Sequence, residues 1–157
     1  MIAFATEREA PWPEAADALP ATCAGAVAAL GLPEALSGEV SVLLTTDDEV
    51  RALNRDWRGK DAPTNVLSFP AEPVPGLPDE AQPLGDLALA WGTVEREAEA
   101  RGVPVLDHAA HLIVHGLLHL LGYDHRDGTE ARSMEALERR AMATMGLHAP
   151  YEDEPAD

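Results

Sequence analysis

HGLLHLLGYDH, residues 115–125, places three histidines four and six positions apart, with a glycine between the second and the third. It closes the run VLDHAAHLIVHGLLHLL, 105–121, whose apolar residues predict a helix ending at Gly122. Positions four apart on an α-helix lie one turn above each other, so His115 and His119 project from one side and can bind one ion. A third ligand must come from beyond the helix. A left-handed residue at Gly122 would turn the chain back and carry His125 to the same ion. Three neutral imidazoles with no thiolate suit Zn2+ or another divalent ion such as Ni2+, and they leave a fourth position for water. The metal lowers the pKa of that water from about 15.7 to near 7, which is a catalytic arrangement rather than a structural one.

The same histidine spacing occurs in zinc proteases of the H-E-x-x-H-x-x-G-x-x-H type, where the second residue is a glutamate that acts as general base. Here that position is Gly116. A peptidase needs a carboxylate to take a proton from water and pass it to the leaving amine, and glycine can do neither. The structural alternative is a set of histidines that merely share a helix stripe, which His108 and His111 extend. Three histidines with a glycine-turned return favour the metal. His111, one turn before His115, either steadies a ligand histidine or has a structural or surface role.

Working outward, the 157 residues fit one domain, 1–157, large enough to bury a core without staples. Cys23 is the sole cysteine, so an internal disulfide or a C-x-x-C site is excluded and a reducing compartment fits. The first residues, MIAFATEREAPWPEAAD, hold no basic leader and no signal-length apolar run, and no segment approaches a membrane span; a cytoplasmic protein is expected. A net charge of -17 argues against a polyanionic partner. RALNRDWRGK, 51–60, is the local exception: Arg51, Arg55, Arg58 and Lys60 face one acid, Asp56, for a balance of +3, which leaves 7 basic and 27 acidic residues elsewhere. Either this is a solvated helix face or it meets phosphates.

EAADALPATCAGAVAALG reads as a helix broken or restarted at Pro20 and ended by Gly31. EVSVLLTT is a β-branched strand, DDEVRALNRDW a helix with acids in its first turn that Gly59 ends, and TNVLSFP a second strand stopped by Pro70. A proline-rich loop runs to Pro83, LGDLALAW is a third strand, and TVEREAEARG is a helix capped by Thr93 and ended by Gly102. GTEARSMEALERRAMATMG is the last helix, and the acidic tail from about 150 is expected to fray. The interleaving predicts an α/β or α+β domain with a small mixed sheet flanked by helices and the metal site at the end of a central helix.

RGKDAPTNVLSFP at 58–70, LGDLALA at 84–90, HLIVHGLLHLLGYDH at 111–125 and MEALERRAMATMG at 134–146 together resemble the YbeY-type bacterial endoribonucleases. The resemblance implies a single-strand-specific, metal-dependent hydrolase acting in ribosomal RNA maturation and ribosome quality control. It also implies zinc on His115, His119 and His125, an essential arginine at Arg58, and a small mixed sheet flanked by helices. Its expected partners are single-stranded RNA, ribosomal RNA precursors and ribosomal or small-subunit proteins. Phosphodiester hydrolysis needs an activated oxygen, either metal-bound water or the RNA 2′-hydroxyl, and cationic stabilisation of the phosphate, for which Arg58 is the candidate. Asp124 either orients a ligand or stabilises a turn; Asp86 either points to the cleft or caps a strand end. The competing readings are a zinc metalloprotease-like hydrolase and a non-enzymatic ribosome-assembly factor with a structural metal.

Overall fold

The computed structural model describes residues 2–32, 37–123 and 127–147. Four strands, β1 (Ile2–Arg8), β2 (Gly38–Thr45), β3 (Val66–Pro70) and β4 (Pro83–Ala90), form one sheet in the order β1-β2-β4-β3. β1, β2 and β4 are parallel and β3 runs antiparallel to β4, which makes β3 an edge strand. Five α-helices accompany them: α1 (Leu19–Ala28), α2 (Asp47–Arg58), α3 (Trp91–Arg101), α4 (Val105–Leu120) and α5 (Gly128–Thr144). The fold is α+β with a mixed sheet, as expected.

Alternation sorts the two sheet faces. Val40, Val42 and Leu44 of β2 and Leu87 and Leu89 of β4 enter the main core with Ile113, Val114, Leu117 and Leu118 of α4. The other face is covered near β3 and β4 by α2, whose Val50 meets Leu67, Ala88 and Ala90. α4 is therefore the buried helix, packed between the sheet and helices α1 and α5.

Two details depart from the sequence reading. β1 was not anticipated. α3 begins at Trp91 and not at Thr93: the Thr93 N–H donates to Asp47 Oδ1 at 2.9 Å, so a carboxylate from the start of α2 satisfies the first turn. The other predicted elements are present with ends shifted by up to three residues, Trp91 passes from the strand to α3, and the proline-rich loop holds a short 3-10 turn at Asp79–Ala81. α1 restarts at Leu19–Pro20 after a short 3-10 turn, and Thr46 caps α2 through the Glu49 N–H.

Gly116 faces the sheet where α4 lies closest to it. A Cβ built there would meet Leu87 Cδ2 at 2.7 Å and Ser68 Oγ at 3.3 Å, and Leu87 is itself buried. Alanine would gain about 1 kcal/mol of helix propensity, but overpacking a tight core costs typically 1–3 kcal/mol. Gly116→Ala should therefore lower the melting temperature. A melting temperature above wild type would show that the helix can move off the sheet at no cost.

Candidate functional site

A cleft of about 640 Å3 opens between α4 and the edge strand β3, bringing together Arg58, Ser68, His108, His111, His115 and His119. α4 supplies the histidines from one stripe, as the spacing predicted. His115 Nε2 and His119 Nε2 stand 3.0 Å apart. After them Gly122 adopts φ +101°, the left-handed turn that the sequence required. His125 and Asp124 lie outside the described residues. Among the described residues no group of three or more His, Cys, Asp or Glu is placed to hold a metal ion.

The orientation of the histidines is set from α5. Glu138 is fully buried, and one of its carboxylate oxygens lies 2.7 Å from His115 Nδ1 and 3.2 Å from His111 Nε2. Burial would push its carboxyl up, but the hydrogen bonds from His111 and His115 outweigh it and bring the pKa down to about 2. A carboxylate can only accept, so His115 donates its Nδ1–H to Glu138, and a neutral imidazole held this way would present its Nε2 lone pair toward His119. This is the arrangement in which a carboxylate fixes the tautomer of a metal-ligating histidine. Two nitrogens of a tetrahedral zinc site, each 2.0–2.1 Å from the ion, are about 3.3 Å apart, close to the spacing found here. The two described imidazoles are therefore spaced as two ligands of one divalent ion would be.

Sequence reading left His111 open and missed Glu138; the structure joins them. The signal was an acid on the inward stripe of α5, level with buried Met134, Ala141 and Met142. Asn65 and Glu97 were missed as well. Asn65 Nδ2 donates to Glu97 Oε1 at 3.0 Å, and the same oxygen lies 2.8 Å from buried His108 Nε2. Burial pushes the His108 imidazole below its ordinary pKa, against the pull of Glu97.

Arg58 ends α2 on the far face of the sheet, and its side chain rounds the edge strand to reach the cleft. Nη2 donates to the Ser68 carbonyl at 3.0 Å, and the guanidinium lies 5.7 Å from the centre of the Phe69 ring. Of its basic neighbours, Arg51 is paired with Asp61 at 2.8 Å and Arg55 with Asp56 at 3.1 Å. The segment's local charge is thus less available to phosphate than its composition suggests. Asp86 is on the opposite face of β4, beside Trp57 and Phe69, and does not line the histidine cleft.

Fold and cleft together define an α+β protein whose buried helix aligns histidines beside an arginine at a sheet edge. The family model described as "Endoribonuclease YbeY" matches residues 4–146. Endoribonuclease YbeY of Halorhodospira halophila is 57% identical over 117 residues, 74% of this chain and 76% of that protein. The protein of the same name from Sphingopyxis alaskensis is 47% identical over 167 residues, covering 98% of this chain and 99% of the relative. The solution structure of TM1509 from Thermotoga maritima superposes with a TM-score of 0.58 at 23% identity, over 100% of this chain and 97% of that one, and so shows the same fold. This chain belongs to the endoribonuclease YbeY family.

Proposed function

We propose that the chain is a metal-dependent endoribonuclease that cuts single-stranded RNA, with ribosomal RNA precursors as its substrate. His115, His119 and His125 hold one divalent ion, zinc or a similar metal such as nickel, and Glu138 fixes His115 for that task. The observation that carries the reading is the shared cleft, in which Arg58 stands with two histidines whose Nε2 atoms are 3.0 Å apart. When bound, the ion supplies Lewis acidity to the attacking oxygen and the phosphate. Arg58, steadied by the Ser68 carbonyl, offers its remaining N–H groups to the phosphate oxygens as charge develops on them. Gly116 leaves the helix without an acid at the protease position, which favours phosphodiester over peptide hydrolysis.

The acidic surface opposes free RNA, with a net charge of -17, so isolated chains should bind it weakly. Ribosomal or small-subunit proteins in the cytoplasm, in rRNA maturation and ribosome quality control, would supply the missing context. Metal-stripped protein should lose cleavage of a single-stranded RNA and regain it on re-metallation, with the product ends identifying the attacking oxygen. Elemental analysis should find one ion per chain in wild type and well below one when any two of His115, His119 and His125 are replaced by Ala. Full retention of metal in the double variants would place the ligands elsewhere.

A further inference from the structure

Arg101 closes α3 and lines the same cleft as Arg58. It follows Glu97 by one helical turn, so the two share a face of α3. The Glu97 carboxylate is held by Asn65 and His108, and Arg101 makes no ion pair among the described residues. With 28 acids against 11 bases, cations in this chain are readily neutralised: Arg8, Arg51, Arg55, Arg96 and Arg139 each have an acidic partner. A cleft-lining arginine left without one is available to an anion from solution.

Two rulers place it along the cleft. From Asn65 to Ser68 the edge strand advances about 10 Å at roughly 3.3 Å per residue. From His108 to His115 the helix advances about 10 Å at roughly 1.5 Å per residue. Asn65 and His108 are joined through Glu97, one turn before Arg101, so the Arg101 end stands that far from the end lined by His115, where the Ser68 carbonyl holds Arg58. A polynucleotide carries a charge on every backbone linkage, so a cation at that distance meets a phosphate other than the one being cut.

We propose that Arg101 forms a second phosphate subsite, which holds a backbone phosphate of single-stranded RNA neighbouring the scissile linkage. The subsite rests on the endoribonuclease reading above. It makes the cleft a two-point binding track, with Arg58 on the reacting phosphate and Arg101 setting how the strand lies across it.

The test uses the full chain and three probes: a single-stranded RNA decamer, its 2′-O-methyl phosphorothioate counterpart, which keeps the charges and resists attack by either oxygen, and a dinucleotide with one phosphodiester. Arg101→Ala should weaken binding of the resistant decamer roughly tenfold at low salt and reduce the slope of log K against log salt by about 0.7. Arg101→Lys, which keeps the charge, should restore most of both. On the cleavable decamer the loss should appear in KM with kcat nearly unchanged. The dinucleotide offers no neighbouring phosphate, so its cleavage should be indifferent to Arg101. Wild-type affinity and slope in Arg101→Ala overturn the subsite, as does an equal loss on dinucleotide and decamer. If the wild-type chain neither binds nor cuts the decamer, the failure lies in the endoribonuclease reading itself, which is thereby told apart from a failure at Arg101.

Discussion

Arg58→Ala and Arg58→Lys are each expected to cut RNA cleavage by roughly 10²-fold or more, the scale of losing one preorganised charge-stabilising donor. Metal content and melting temperature should stay close to wild type. Arg58 is exposed, and its hydrogen bond to the Ser68 carbonyl is one that solvent can replace. The Lys variant carries the argument. A guanidinium can hold the Ser68 carbonyl with one nitrogen and offer a planar pair of N–H groups to two phosphate oxygens, whereas an ammonium is a point charge without that fork. If Arg58 serves only as part of a basic patch, Arg58→Lys should cleave almost as well as wild type. That single result would remove the arginine from the chemistry and leave it as an attractant.

The second large effect is expected at Glu138. Glu138→Ala deletes the buried acceptor shared by His111 and His115. Leaving buried donors unsatisfied costs about 1–3 kcal/mol, and losing the carboxylate behind a ligating histidine typically costs 10–100-fold in metal affinity. Glu138→Gln keeps the volume and one acceptor oxygen, so it should melt closer to wild type yet hold zinc more weakly. Metal retention during titration with a chelator, read beside thermal melts with and without added zinc, separates the two contributions. Equal zinc retention in wild type, Glu138→Gln and Glu138→Ala would mean that Glu138 only fills the core.

The histidine helix, the arginine at the end of α2 and the glycine turn at Gly122 were legible because each is written locally. Apolar spacing, an acidic first turn and a left-handed stop need no knowledge of the rest of the chain. β1 was not legible in this way. Its inward positions are Ile2, Phe4 and Thr6, its last two residues are Glu7 and Arg8, and only pairing with β2 from Ile2–Gly38 to Arg8–Leu44 makes it a strand. Thr93 had the right chemistry for a cap, but the helix starts two residues earlier, and Asp47, remote in sequence, accepts the Thr93 N–H in its first turn. Glu138 needed the knowledge that α5 crosses α4 at the level of His111 and His115. The strand order was also out of reach, and with it the route by which Arg58 rounds the sheet edge. Long-range pairing decided each of these, and local pattern carries little of it.

Gly116 has a bearing on descent as well as on packing. A substitution there that introduced a protease-like acid would have to displace buried Leu87 before any new chemistry could be selected. A step from phosphodiester toward peptide hydrolysis at this position would thus carry a packing cost at Leu87 from the outset. The histidine spacing shared with zinc peptidases is the spacing that imidazoles on a helix and a following turn would need in order to meet one ion.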